Sequence, residues 1–287
     1  MLVPKLRFKE FKDEWRQIDL SNVFTFYSTN SLSRADLVES GSIKNIHYGD
    51  IHQRFHNILD INIESLPYIK LDSKINIDNC KNYCQNGDVI FADASEDYDG
   101  IGKAIELINI GNNKVVSGLH TIWARDINNI MSNGFKGYLF NTPIIHNQIR
   151  VLANGFKVYG ISKNNICNLD VKIPSKSEQE KIANFLILLD KKIELQKQKI
   201  EALKIYKKGL IQKLYDQKYN NKIKLKNIIK QKSIRNKNNE IKDIYSVNNK
   251  DGFILQSDQF KDRVVASEDT TNYKIIKKDY FAYNPAR

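Results

Sequence analysis

Histidine residues cluster in one short stretch of the sequence, where they could in principle hold a metal ion. His47, His52 and His56 are separated by five and four positions. Imidazole is a common zinc ligand, but this spacing falls on a predicted strand and turn. Neither cysteine nor carboxylate residues complete a ligand set there. We therefore predict no metal site and interpret these histidines as polar groups.

A second stretch whose residue types could bind a metal ion or catalyse a reaction is the acidic segment D-A-S-E-D-Y-D-G at 93–100. Carboxylates this dense could serve a metal-dependent nuclease or bind calcium. The calcium-loop pattern is not matched, because the glutamate at its far end is missing. The G-I-G-K that follows at 100–103 lacks the spacing and the Ser or Thr of a phosphate-binding loop. A polar surface loop is the favoured interpretation, and a nuclease site is the alternative.

Nucleophilic and thiol chemistry also finds little support. Ser117 and His120 lie close in the chain, but no G-x-S-x-G motif occurs. Cys80, Cys84 and Cys167 form an odd set without a metal-binding spacing, so we expect reduced thiols. The sequence therefore predicts neither a catalytic site nor a metal site.

A long helix, predicted from Ser177 to Tyr215, organises the rest of the chain. It follows Pro174, and Ser177 with Glu180 fits a capping box, in which each side chain satisfies a backbone N–H of the other residue. At about 1.5 Å per residue the helix would be roughly 58 Å long. Two seven-residue registers form one narrow apolar seam: Ile182, Leu186, Leu189, Ile193, Ile200, Leu203, Leu210 and Leu214. Such a seam is typical of a coiled coil and requires a second long helix.

Mixed, strand-rich segments flank this helix, and together they predict an α+β fold. Residues 43–50 are predicted to form a strand that ends in a Gly-Asp turn, and Val89–Ala92 a buried strand. Residues 135–150 have the pattern of an amphipathic helix interrupted at Pro143. Phe91, Trp15 and Trp123 are expected in the core.

The two flanks begin alike, which indicates an internal repeat. Residues 223–229 repeat the pattern of 18–24, and residues 278–282 repeat that of 87–92.

The net charge of +12 in 287 residues is unevenly distributed. Residues 1–175 carry 19 basic and 19 acidic side chains, and residues 251–287 carry 6 of each. The excess lies at 176–215, with 10 basic against 5 acidic, and at 216–250, with 10 against 3. This excess predicts an acidic partner, nucleic acid by default, with a solvated lysine-rich face as the alternative. No long apolar run or signal peptide occurs, so we expect a soluble, cytoplasmic protein.

Eight short motifs, taken in order, resemble those of the specificity subunits of type I restriction–modification systems. The first four are P-K-L-R-F-x-x-F-x-x-x-W at 4–15, Y-G-D-I-H at 48–52, G-D-V-I-F-A-D-A-S-E-D at 87–97 and G-L-H-T-I at 118–122. The others are I-P-x-x-x-E-Q-x-x-I at 173–182, L-D-K-K-I-x-L-x-x-x-K-I-E-x-L-K at 189–204, K-K-G-L-I-Q-K-L at 207–214 and F-A-Y-N-P-A-R at 281–287. Each motif is modest alone, and their order makes the resemblance specific.

The resemblance implies a strand-rich target-recognition domain at 1–175, a long spacer and dimerisation helix at 176–216, and an incomplete second recognition domain at 217–287. In such subunits two long helices pair antiparallel, and each recognition domain reads one half of a split DNA target. The second domain stops early here. The resemblance therefore leaves open a fragment or non-functional chain, or a half-subunit that pairs with another copy through its helix.

The resemblance also implies partners and the absence of catalysis. The helices of such subunits dock methyltransferase subunits, which motor–nuclease subunits join. The specificity subunit has no active site and binds no cofactor directly, since the partner subunits bind S-adenosylmethionine, ATP and magnesium. We therefore expect a non-catalytic protein that binds double-stranded DNA and no membrane.

The residues expected to contact DNA are polar and aromatic groups near predicted strand ends, which could reach base edges or phosphates. They are His47, Tyr48, His52, Arg54, Ser95, Tyr98, Lys103, His120 and Lys157. The seam residues of the long helix are expected to serve helix pairing and subunit docking.

Overall fold

The computed structural model describes residues 4, 6–70, 82–155, 157–215, 223–248, 252–260 and 267–283. The chain divides into two compact units, Met1–Lys207 and Lys208–Arg287. Cys80 lies outside the described residues, while Cys84 and Cys167 are free thiols. The predicted division at 175 and 216 stays a prediction.

The first unit combines short strands with a few helices. Its strands are β1 (Arg16–Ile18), β2 (Phe24–Tyr27), β3 (Leu37–Val38), β4 (Ile43–Ile46), β5 (Ile58–Asp60), β6 (Tyr68–Ile69), β7 (Val89–Ala92), β8 (Ala94–Ser95), β9 (Ala104–Ile108), β10 (Lys114–Ser117), β11 (Thr121–Asp126), β12 (Tyr159–Gly160) and β13 (Val171–Ile173). Its helices are α1 (Tyr48–Gln53), α2 (Lys136–Phe140), α3 (Pro143–Leu152), α4 (Lys163–Cys167) and most of the long α5 (Lys176–Tyr215), with a 3-10 turn at Arg34–Asp36.

Two sheets form the framework of this unit. A five-stranded sheet has the order β2-β11-β7-β9-β5, antiparallel except for the β5–β9 pair. A four-stranded sheet has the order β10-β4-β6-β3, with β10 and β4 parallel. Two small pairs complete the unit: β1 with β13, and β8 with β12. The mixed α+β fold and the long helix predicted from the sequence are confirmed.

The central strand β7 is buried on both faces, as its unbroken apolar sequence predicts. Val89 and Phe91 belong to one core cluster, which includes residues of α2 and α3 and Ala183 of α5. Ile90 and Ala92 alternate into a second cluster, which contains Trp123. Phe91 and Trp123 are core residues, as predicted, whereas Trp15 is only partly buried.

Two local predictions were wrong. The strand expected over residues 43–50 ends at Ile46 and is followed by α1. His47 caps this helix, because its Nδ1 accepts a hydrogen bond from the Gly49 N–H at 3.1 Å. The acidic Asp50 in the first turn suits the helix dipole.

The second correction concerns the start of α5. The helix begins at Lys176, so Ser177 lies inside it and does not cap it. The carbonyl of Ser175 accepts the first intrahelical bond, from Gln179 N–H at 3.0 Å. Pro143 behaves as predicted and stands at the first position of α3, where its missing N–H costs nothing.

The second unit contains strands β14 (Tyr245–Asn248) and β15 (Gly252–Leu255), which pair antiparallel, and the short helix α6 (Gln256–Gln259). Its backbone shares one local turn with the start of the chain. Three turn hydrogen bonds, Asn22 N to Asp19 O, Val23 N to Leu20 O and Phe24 N to Leu20 O, recur at Asn227, Ile228 and Ile229. The first predicted repeat pair therefore has the same turn in both places, and the repeat itself stays a prediction.

The second predicted repeat pair also has a similar turn in both places. Asp88 N–H bonds to Gln85 O at 3.1 Å, and Tyr280 N–H bonds to Lys277 O at the same distance. The left-handed position of the first turn is Gly87, at φ 87°, and that of the second is Asp279, at φ 68°. In these two turns the position of Gly87 matches that of Asp279.

Within the described residues no helix is long and apolar enough to cross a membrane.

Candidate functional site

Four of the residues predicted to contact DNA meet where α1 begins and where β10 turns into β11. The ring of Tyr48 lies 4.7 Å from that of His47, 6.1 Å from that of His52 and 5.2 Å from that of His120, measured between centroids. Lys103 joins them, since its Nζ donates to the carbonyl of His52 at 3.3 Å. We call these five residues the recognition row.

Partial burial lowers the pKa of two residues in this row. Desolvation lowers the pKa of Lys103. Desolvation, with the nearby Arg34 guanidinium second, lowers the pKa of His47. Both effects disfavour the charged forms. The row therefore offers hydrogen-bonding groups in a partly desolvated setting, which suits selective contacts better than diffuse charge attraction.

Arg34 stands beside the row and was missed by the sequence prediction. Its guanidinium forms a bidentate ion pair with the buried Asp50, with N–O distances of 2.8 and 3.0 Å. Its side chain is 52% exposed. No local motif marks Arg34, because its partner lies sixteen positions away.

The other predicted DNA contacts lie apart from the row or are engaged elsewhere. Ser95 is buried and its Oγ accepts from Asp97 N–H at 3.2 Å. Arg54 donates to the carbonyl of Ser65 at 2.8 Å. Tyr98 packs on Tyr159, with 5.1 Å between ring centroids. Lys157 is exposed.

The carboxylates of the acidic segment act separately. Asp93 Oδ1 lies 3.3 Å from His120 Nδ1. Asp97 accepts from the backbone N–H of Gly100, and Asp99 pairs with Arg150 at 3.0 Å. In the part of the chain that the structure describes, no three His, Cys, Asp or Glu side chains are grouped so that they could hold a metal ion.

Buried polar groups hold the start of α5, and the sequence prediction assigned them no role. Glu178 is fully buried and receives two hydrogen bonds from Arg7, both at 2.6 Å. Gln179 accepts from Ser132 N–H at 2.8 Å and donates to the carbonyl of Pro174 at 3.0 Å. Both residues belong to the E-Q of the motif at 173–182, so this motif marks the junction between helix and domain.

The predicted seam of α5 is exposed along most of its length. Ile182 packs against the core and Leu186 is partly buried. From there on the seam side chains are 40–64% exposed: Leu189, Ile193, Ile200, Leu203, Leu210 and Leu214. Further apolar side chains outside the seam are also exposed, among them Leu188, Leu195, Ile205 and Tyr206.

Comparison with known proteins decides the family. The family model described as the type I restriction modification DNA specificity domain matches residues 12–205. The chain belongs to this family. The match spans both the recognition row and most of α5, so both features belong to the specificity domain. No curated protein matches the sequence.

Solved structures of type I restriction–modification proteins are similar to the chain. The S subunit from M. genitalium is 14% identical, with a TM-score of 0.47 over 75% of this chain and 49% of that one. A chain from a study of complex assembly and conformational transition of the type I R-M system is 16% identical, with a TM-score of 0.46 over 74% and 47%. The HsdS subunit from Thermoanaerobacter tengcongensis is 12% identical, with a TM-score of 0.39 over 68% and 41%. The chain spans about half the length of the first two.

Proposed function

We propose that this specificity-domain protein binds double-stranded DNA in a sequence-specific way and reads one half of a split target. The recognition row carries the proposal. It gathers aromatic and hydrogen-bonding side chains around Tyr48 on strand and helix ends, within the region that matches the family. Such groups can read the donor and acceptor pattern of base edges in the major groove.

The lysine-rich helix α5 supplies the complementary part of the proposal. Its basic excess suits contacts with phosphates, which position a protein on DNA without reading its sequence. Its exposed seam suits a second long helix, either from a further segment or from another copy of the chain. The apolar side chains outside the seam, such as Leu188 and Leu195, remain available to another subunit when the seam is occupied.

In this proposal the chain acts within a type I restriction–modification complex and is not itself catalytic. Methyltransferase subunits dock on α5, and motor–nuclease subunits join through them. Those partners bind S-adenosylmethionine, ATP and magnesium. A half-subunit that pairs with a second copy is the alternative assembly, and the exposed seam favours it over an isolated chain.

The test is selection of random double-stranded DNA by the purified full chain, alone and with its methyltransferase partner. We expect an enriched short sequence and binding that weakens steeply as salt rises, because phosphate contacts release counterions. Equal binding of all sequences would contradict the proposal. Cleavage of plasmid by the chain alone with magnesium would favour the nuclease alternative.

A further inference from the structure

We infer that His120 presents a hydrogen-bond acceptor to DNA and thereby selects a base with an exocyclic amino group in the major groove, adenine or cytosine. This inference rests on the proposed function and specifies the chemistry of its recognition row. It goes beyond the family, which does not indicate which base any residue reads.

The partner of His120 sets its tautomer. Nδ1 lies 3.3 Å from Oδ1 of Asp93, and a carboxylate oxygen accepts hydrogen bonds. In the neutral imidazole the negative charge of this carboxylate favours the tautomer with its proton on Nδ1, which leaves Nε2 as the acceptor. The His120 side chain is 50% exposed, so part of the ring is open to solvent.

The turn that carries His120 is held on both sides. Its carbonyl accepts from the N–H of Asp93 at 3.1 Å, and the N–H of Gly118 donates to Ile46 O at 2.8 Å. Ser117 and Thr121 join their hydroxyls at 2.8 Å across the turn. His120 itself has a φ of 54°, a left-handed conformation that non-glycine residues adopt at a cost. Such a constrained position indicates that the direction of the side chain matters.

The neighbouring histidines are fixed in the same manner. His52 Nε2 lies 2.9 Å from the carbonyl of Ala94, which can only accept, so Nε2 carries the proton. His47 Nδ1 accepts from Gly49, so its proton is on Nε2. These contacts favour one tautomer for each of the three histidines in the row, and together the tautomers give the row a pattern of donors and acceptors.

An acceptor at Nε2 discriminates between bases by their major-groove edges. Adenine N6 and cytosine N4 carry amino groups that donate to it, whereas guanine and thymine present only acceptors, O6, N7 and O4, to that groove. When Nε2 faces an acceptor on the base, both groups lose their water and neither gains a hydrogen bond, which opposes binding. Lys103, which can only donate, supplies the opposite preference beside His52.

The test compares DNA selection by the full chain, wild type against His120→Asn. Asparagine tolerates a left-handed backbone, so this variant keeps the turn but is too short to keep the contact. We expect a preference for adenine or cytosine at one position to fall roughly 2- to 12-fold, the value of one neutral hydrogen bond. His56→Asn, which changes an exposed histidine outside the row, is the matched control and should leave every position unchanged.

Asp93→Asn tests the positioning role of the carboxylate. An asparagine amide can donate as well as accept, so it no longer forces the proton onto Nδ1. We expect the same position to lose its preference while total affinity for non-specific DNA stays the same. A merely structural role of Asp93 would instead change the stability of the fold and leave the base preference intact.

Base analogues give a test that needs no variant. DNA that carries, at the selected position, a purine without its 6-amino group or a pyrimidinone without its 4-amino group should bind the wild-type chain less tightly. The expected decrease is the same factor of roughly 2 to 12. The His120→Asn chain should not distinguish them. Wild-type protein that selects no sequence would overturn the proposed function. Wild-type protein that selects a sequence but is indifferent to these analogues, or a His120→Asn chain with an unchanged profile, would overturn only the inference about His120.

Discussion

Replacing Lys136 by methionine should destabilise the first unit strongly. Lys136 and Glu106 are both buried, with 1% and 0% of their side chains exposed, and Nζ lies 3.0 Å from Oε1. Glu106 also accepts from the backbone N–H groups of Gly134 and Gly137, at 2.8 and 2.9 Å. Methionine fills a similar volume but leaves the carboxylate buried without its counter-charge.

The expected loss is large compared with the total stability of the fold. Removing one partner of a buried ion pair typically costs about 3 to 5 kcal/mol. The two backbone donors still stabilise the carboxylate, so we expect a value near the lower end, about 3 kcal/mol. Domains of this kind are stable by about 5 to 15 kcal/mol, so the variant should fold but unfold at a much lower urea concentration.

The loss should also depend on pH. Desolvation raises the pKa of Glu106 above its ordinary value of 4.5, while Lys136 and the two backbone donors oppose this. Without Lys136 the pKa rises further, so the native state binds a proton more tightly than the unfolded chain. Stability then falls as the pH rises from about 4.5 through the raised native pKa. The variant should therefore lose more stability at pH 8 than at pH 5.

Urea denaturation of both proteins at pH 5 and pH 8 measures these effects. Lys204→Met is the matched control, because Lys204 pairs with Glu201 on an exposed helix face, where ion pairs contribute less than about 1 kcal/mol. A Lys136→Met chain as stable as the control at pH 8 would refute the reasoning. An equal loss at both pH values would refute the assignment to the buried carboxylate of Glu106.

Four further perturbations have definite expected outcomes. Joint replacement of Leu189, Ile193 and Leu203 by aspartate should abolish self-association or methyltransferase docking, and a mass in light scattering that is unchanged with and without the partner would contradict this. Gly87→Ala should destabilise the fold by more than about 1 kcal/mol in urea denaturation, since φ is 87° and the added carbon would clash with a side-chain oxygen of Asn133. Gly209→Ala, in open space on α5, should instead stabilise the helix by up to about 1 kcal/mol. Raising salt from low to physiological concentration should weaken DNA binding at least tenfold if several phosphates are contacted, and a flat salt response would argue against a phosphate-binding role for α5.

The fold could be predicted where neighbouring residues in the sequence form a clear apolar pattern. The seven-residue registers of α5 predict the helix to within one residue at its start, and the apolar run Val89–Ala92 predicts the central strand. The prediction failed where a single contact decides. Tyr48–Gln53 is too short to show helical periodicity, and its start depends on one cap by His47.

The composition of the recognition row could be predicted in part, but its geometry could not. Tyr48 and His120 were chosen for their types, yet their contact joins positions seventy-two residues apart and depends on the parallel pairing of β4 with β10. Local patterns do not encode such pairing. The same reason explains why Arg34 and the junction pair Arg7–Glu178 were assigned no role.

Within the first unit, the beginning of α5 is anchored to the domain, whereas its later part exposes an apolar seam. Its first turns are anchored, since Glu178 and Gln179 are buried among polar partners and Tyr138 donates to Asp190 at 2.7 Å. Beyond these turns the seam is exposed. Buried polar contacts need defined geometry to be favourable, so they fix the direction in which the helix leaves the domain. If α5 is the spacer helix that the resemblance implies, the spacing depends on the junction at Arg7 and Glu178 as well as on helix length.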